Sequence, residues 1–457
     1  MTWLDLPQGT GFGVANLPFG VFSRAGGPPP PNPTPTPDRG HPQPPNPIRT
    51  PDRGHPQPPN PIPTPDRGHP QPPNPIRTPD RGQRVGVAVG GWVLDAAAVA
   101  DELRLPLREA FAEPTLNRFL AAGPATWREA RERLTEWLTS PAHRAVVRPH
   151  LVPEGEVWLH LPFAVADYVD FYASRNHAEN VGAIFRPGQP PLPRNWLHMP
   201  LGYHGRAGSV VISGTTVTRP SGLRMDPGGS GPAFGPSRRL DFEAEVGFVV
   251  GVPSRQGEPV PLAGFEEHLF GACLVNDWSA RDIQAFETVP LGPFLGKAFA
   301  TSVSPWVVPL DALRASRVPP PAHDPAPPPY LRDDSGPWGL DLSLTVALDG
   351  CPVSRPPFAT MYWTPAQMLA HLTSGGAPLR TGDLYASGTV SGPEPGQLGC
   401  LLELTRNGAE PIALADGTQR TFLEDNDEVV ISATAPGRDG ELISFGEVRG
   451  RIIPRAR

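Results

Sequence analysis

Cysteine is scarce in this sequence and irregularly placed. Cys273, Cys351 and Cys400 are the only three in 457 residues, an odd and widely spaced set that excludes a disulfide framework and fits a reducing compartment. Positive charge is not in excess: a formal net charge of −7 gives no electrostatic case for nucleic acid or an anionic membrane as partner. Long hydrophobic runs are also missing. The nearest approach, VPLGPFLGKAFATSVSPWVV (289–308), is broken by three prolines and a lysine, which excludes it as a membrane span. The opening MTWLDLPQGT has an acid and a proline where a secretory leader has a basic start and an apolar run, so a cytoplasmic location is expected.

Proline, by contrast, is abundant: 66 in all, 23 of them within residues 28–82. That window repeats PDRGHPQPPNPIRT (37–50), with PDRG at 37, 51, 65 and 79, a period of 14. Such a composition buries nothing and is expected to form a disordered, solvated insertion. Its P-x-x-P matches also suit a partner that reads polyproline II helices, which makes a proline-rich interaction protein a rival reading of another class. On either side, NLPFGVFS (16–23) and QRVGVAVGGWVLDAAAV (83–99) read as short strands, and together they predict one hairpin with the repeat spliced into its turn. Closure entropy permits this, because each doubling of loop length costs only about 0.6 kcal/mol.

Further along, ATWREARERLTEWL (125–138) predicts a helix, with a capping box at Thr126 and Glu129, a buried face of Trp127, Ala130, Leu134 and Trp137, and a stop at SPAH (140–143). A first domain is expected over residues 1–158 and a second over 159–457. The second reads as short alternating strands between Gly/Pro turns, such as SVVISGTTV (209–217), LDFEAEVGFVVG (240–251), LDLSLTVALDG (340–350) and DNDEVVISATA (425–435). The fold class is therefore mainly β with some α, the larger part a β-roll or β-sandwich.

Several residues in this frame carry chemistry. In LDFEAEVGFVV, period two sets Glu243 and Glu245 on one face, with Cα atoms roughly 6.5–7 Å apart. A half-buried strand with a wet acidic face is one reading. A site for a hard divalent cation, completed by acids from elsewhere, is the other. FGACLVNDWSARDIQ (270–284) is an apolar strand ending at Asp277, which is either a site residue at the strand's carboxyl edge or an N-cap for the segment that follows. In ADYVDFYASRNHAENVG (166–182), a helix would place Asp170, Ser174 and His177 on one face. Lys297 is the only charge in the 289–308 run and must be paired or face a site if buried. Arg281 and Gln284 are positioned to share that pocket. CLLELT (400–405) puts Glu403 inside an apolar strand, where it needs a partner such as a histidine. SGTVSGPEPG (387–396), with Thr389, is a glycine-rich turn without the lysine and serine of a phosphate loop.

Four long segments go further: DFYASRNHAENVG (170–182), NWLHMPLGYHGRAGSVV (195–211), NDWSARDIQAFETVPLGPFLGKAFATSVSPWVVP (276–309) and LYASGTVSGPEPGQLGCLLEL (384–404). In these the chain resembles the fumarylacetoacetate hydrolase family, from about Gly13 to the C-terminus apart from the repeat. The resemblance implies a hydrolase acting on a carbon–carbon bond of a ketonic substrate. That reaction cleaves 4-fumarylacetoacetate to fumarate and acetoacetate, the last step of tyrosine and phenylalanine breakdown. It implies Mg²⁺ or Ca²⁺ held by Asp170, Glu243, Glu245 and Asp277, with Lys297 and Thr301 associated with the cation. It further implies His177 as general base with Glu403 as its partner, an oxyanion cluster of Arg281, Gln284 and Lys297, and substrate contacts from Tyr172, Arg186, Tyr203, Arg281, Gln284 and Thr389. A small N-terminal SH3-like barrel, a C-terminal β-roll and a homodimer complete the expectation. One departure stands out, Thr288 where mammalian-type sequences carry a substrate-contacting tyrosine. A related acylpyruvate hydrolase or oxo-acid decarboxylase is the alternative within the same superfamily.

Overall fold

The computed structural model describes residues 2–25 and 82–455, apart from 5, 7, 8, 227, 230, 334, 335 and 337. Except for Gly82, the proline-rich insertion expected over 28–82 lies outside the described residues. Its flanks form the predicted hairpin. Phe19–Arg24 pairs antiparallel with Arg84–Val89 in the register Phe19↔Val87 to Phe22↔Arg84. Trp92–Asp95, Leu151–Pro153 and Val157–His160 extend this to a five-stranded antiparallel sheet. The tail of the segment read as strand turns helical at Ala96–Glu102, where Asp95 accepts from the Ala98 N–H as N-cap.

The helix expected at 125–138 spans Gly123–Thr139 and buries Trp127, Ala130, Leu134 and Trp137 as its spacing predicts. Its start differs. Pro124 opens the first turn, so Thr126 already lies inside the helix, and its Oγ1 donates to the Ala122 carbonyl instead of forming a capping box. The buried face docks on the main sheet, where the Trp127 and Phe270 rings meet edge-on at 5.3 Å.

That main sheet is built from strands distant in sequence. Across it run Gly202–His204, Tyr168–Phe171, Leu384–Ala386, Ala244–Val250, Leu269–Asp277, Thr301–Val303 and Val210–Ile212. Ala244–Val250 is buried along its whole length, as befits a strand covered on both faces. A separate five-stranded sheet contains Ser343–Leu348, Glu428–Pro436 and Leu442–Ile453, and its inward residues alternate along each strand. In the second expected domain strand thus outweighs helix, as its alternation implies. No helix among the described residues is long and apolar enough to cross a membrane.

Candidate active site

The predicted strand LDFEAEVGFVV is interrupted. Leu240–Asp241 pairs with Ser279–Ala280, and regular pairing resumes only at Ala244. Across the break Asp241 and Glu243 nevertheless converge on Arg281, Glu243 and Glu245 share one acidic cluster, and all three are buried. The wet acidic face is therefore absent. Asp277 ends the Leu269–Asp277 strand as expected, and Ala280 rather than Asp277 precedes the Arg281–Glu287 helix, which removes the N-cap reading.

Asp170 corrects a second expectation. It lies on the strand Tyr168–Phe171, between Leu384–Ala386 and Gly202–His204, with Ala386 and Tyr203 as register partners. The helix starts later, at Arg175–Phe185, with Ser174 as N-cap accepting from the His177 N–H. Strand and helix together bring Asp170 and His177 into one site by a different route. Glu403 is a third case, since CLLELT forms a one-turn helix, Leu401–Leu404, not a strand. Asp241 sets that turn by accepting from the Leu401 and Leu402 N–H groups at 2.7 and 3.0 Å.

Carboxylate oxygens of Asp170, Glu243, Glu245 and Asp277 lie within 4.8 Å of one another, all buried. Two cations compensate part of this charge. Lys297 Nζ donates to Glu243 and, at 2.9 Å, to Asp277 Oδ2. Arg281 reaches Glu243 Oε1 at 2.7 Å and Asp241 Oδ2 at 2.8 Å, and also donates to Gln284 Oε1 at 3.3 Å. Lys297 can approach because Gly296 has no side chain: a Cβ there would stand 2.8 Å from the Gln284 nitrogen. Tyr203 and Thr301 each donate a hydroxyl to Asp277 at 3.0 Å.

The compensation is incomplete. Both oxygens of Glu245 and Oδ1 of Asp170 are buried with no hydrogen-bond partner. Burial, reinforced by the neighbouring acids, pushes Asp170 and Glu245 well above the usual carboxylate range. Asp277 is raised too, mainly by burial. Glu243 differs. Burial opposes its charge, but Lys297, Arg281 and His177 outweigh burial and hold its carboxyl below the usual range. Oxygen ligands without donors, in a nest too acidic for its own lysine and arginine, suit a hard divalent cation.

Beside the nest, His177 Nδ1 meets Glu403 Oε2 at 2.7 Å, both residues buried. Asn180 and Ser391 each donate to Glu403 at 2.8 Å, and the Cys400 thiol at 3.2 Å. Burial works against the Glu403 charge, yet His177, Asn180 and Cys400 outweigh it and keep the carboxyl low. The Tyr172 ring sits edge-on to His177 at 5.3 Å. Thr389 is buried with an unpartnered hydroxyl, while Arg186 donates to the Pro191 carbonyl at 2.6 Å. Thr288 caps its own helix, its hydroxyl on the Gln284 carbonyl at 2.6 Å.

Sequence reasoning missed Asp241, Asn180, Ser391 and Cys400. Asp241 had a signal, being one alternation step before Glu243, and Asn180 follows His177 by three residues on one helix face. Ser391 and Cys400 had none, because a loop and a one-turn helix bring them to Glu403.

Acids short of a counter-cation, beside an imidazole that a glutamate has already oriented, are the parts of a metal-assisted enzyme site with a general base. The sequence comparisons say which group. Residues 167–453 match the model for the fumarylacetoacetate (FAA) hydrolase C-terminal region, and residues 75–162 that for the fumarylacetoacetase N-terminal region. The chain belongs to the fumarylacetoacetate hydrolase family. It is 40% identical to fumarylacetoacetase of Homo sapiens and 43% to that of Bos taurus, each over 99% of both chains. To fumarylacetoacetase of Arabidopsis thaliana it is 46% identical over 81% of this chain and 91% of that one.

Proposed function

We propose that this protein is a fumarylacetoacetase, hydrolysing the carbon–carbon bond of 4-fumarylacetoacetate to fumarate and acetoacetate in tyrosine and phenylalanine catabolism. The observation that carries this reading is the pairing of a donor-poor carboxylate nest with the His177–Glu403 couple, in a chain 40% identical over its length to human fumarylacetoacetase. Asp170, Glu243, Glu245 and Asp277 would hold Mg²⁺ or Ca²⁺, with Lys297 and Thr301 bracing Asp277. When bound there, such a cation would supply Lewis-acid polarisation of the diketone.

The chain's own residues do the rest. Glu403 accepts from Nδ1, which leaves His177 Nε2 free to take a proton from water and stabilises the imidazolium that results. Arg281 and Lys297 pair with Glu243, Gln284 accepts from Arg281, and the three offer positive charge and donors to the oxyanion that forms when hydroxide adds to the carbonyl. The leaving carbanion is an enolate, which takes back the proton held on His177 and departs as acetoacetate. Tyr172, Arg186, Tyr203 and Thr389 border the same space and orient the substrate. Burial and the Asp277 charge push the Tyr203 hydroxyl well above its ordinary range, so it remains a donor.

The proposal includes a cytoplasmic homodimer and two modules, residues 1–158 as an SH3-like barrel and 159–457 as a β-roll. The separate sheet of the N-terminal hairpin and the two matching regions support the modules. An exposed apolar surface supports the dimer. Leu291, 96% exposed, follows the Arg281–Glu287 helix with Val289, Phe294 and Leu295, and the Ser221–Met225 strand that packs on the same helix also exposes Leu223 and Met225. Incubation with fumarylacetoacetate tests the reaction: fumarate and acetoacetate should appear in equal amounts, and cleavage of a simple acylpyruvate at a comparable rate would favour the alternative.

A further inference from the structure

Among the described residues a second group of potential ligands adjoins the carboxylate nest and differs from it in kind. A ring nitrogen of His177, the Cys400 sulfur and a Glu403 oxygen lie within 4.8 Å of one another, all buried. The nest is all oxygen, whereas this trio is nitrogen, sulfur and oxygen. The thiol has no part in the hydrolysis described above, yet it and His177 Nδ1 converge on the same Glu403 oxygen, Oε2, at 3.2 and 2.7 Å. We propose that His177, Cys400 and Glu403 form a second metal site, which takes Zn²⁺ and thereby switches the enzyme off.

Ligand chemistry sorts the two sites. Carboxylates suit Mg²⁺ and Ca²⁺, while thiolate and imidazole favour zinc. Zinc ligands at about 2.0–2.3 Å in a tetrahedron stand roughly 3.5 Å apart, so the two contacts that meet at Glu403 Oε2, 2.7 and 3.2 Å, have to open by under about an ångström to admit the ion. Charge also balances: one thiolate and one carboxylate neutralise the dication, so no net charge is buried. On binding, the ion replaces the thiol proton, which leaves to solvent, and takes Nδ1, so the imidazole's remaining proton sits on Nε2. Nε2 then cannot accept a proton from water, and the base is lost without any change at the nest.

The inhibition rests on the hydrolase reading; the site does not, and the two are tested separately. Full-length protein in saturating Mg²⁺, which fills the nest, is titrated with Co²⁺. A thiolate-to-cobalt charge-transfer band should grow to one equivalent, disappear on adding Zn²⁺, and be absent in Cys400→Ser. X-ray absorption at the zinc edge of the unmutated protein should show one sulfur at about 2.3 Å, a readout that survives if the variant does not fold. Zinc should abolish turnover, and Cys400→Ser should need at least about tenfold more zinc for the same loss. A shell of nitrogen and oxygen alone, or zinc inhibition that is equal in both proteins and relieved by excess Mg²⁺, would overturn the site. Sulfur-ligated zinc with undiminished turnover would overturn the switch, whereas a protein with no turnover before zinc is added contradicts the hydrolase reading and leaves the spectra to decide the site.

Discussion

Glu245 presents two buried carboxylate oxygens to a space that offers no donor. Its raised pKa, with those of Asp170 and Asp277, has a consequence for stability. A carboxyl raised in the folded state keeps its proton after the unfolded chain has released one, so the folded state binds more protons and stability falls as pH rises. The metal-free protein should therefore lose melting temperature upward from about pH 4, and saturating Mg²⁺ or Ca²⁺ should remove much of that loss. Parallel melting curves with and without cation would contradict the nest. Thr288 gives a second test at this scale. Its hydroxyl is spent on its own helix, so Thr288→Tyr should lower KM by about two- to tenfold, the worth of one hydrogen bond, with kcat little changed. Single residues were the most legible scale. Lys297 in an apolar run and two glutamates in alternation announced themselves because charge without water must find a partner.

Elements were harder to read where distant partners decide them. Asp170 has helical spacing to His177, but pairing on both sides with Leu384–Ala386 and Gly202–His204 makes its segment a strand. Glu403 sits in an apolar run that reads as strand, and Asp241, 162 residues earlier, turns it into a helix by capping Leu401 and Leu402. No local pattern reports either contact. The hairpin and the Gly123–Thr139 helix were legible because their partners are near neighbours or their face is periodic. The loop after Leu384–Ala386 tests how tightly these elements lock. Gly388 has φ +74, and a Cβ there would stand 2.0 Å from the Phe171 carbonyl oxygen. Gly388→Ala should cost roughly 2–4 kcal/mol, read as a lowered denaturation midpoint. An unchanged midpoint would mean that this loop does not press on the Asp170 strand.

At the scale of the whole molecule, the loudest feature of the sequence is inserted between two strands that carry none of its chemistry. The 14-residue repeat enters between Phe19–Arg24 and Arg84–Val89, in a sheet that contributes none of the four nest acids, neither His177 nor Glu403. Deleting residues 28–82 should leave turnover unchanged and melting within a few degrees, since a shorter loop only lowers the closure cost. A collapse of activity would give the repeat a role in the enzyme. The central claim is that the buried acids and His177 act together on fumarylacetoacetate. Its most direct measurement is the loss of diketone absorbance in chelator-treated protein, before and after Mg²⁺ or Ca²⁺ is restored, beside His177→Ala. Chelation should stop turnover and either cation restore it, while His177→Ala should bind the cation yet turn over about 10²- to 10⁴-fold more slowly. Turnover indifferent to both the chelator and the loss of His177 would contradict the mechanism.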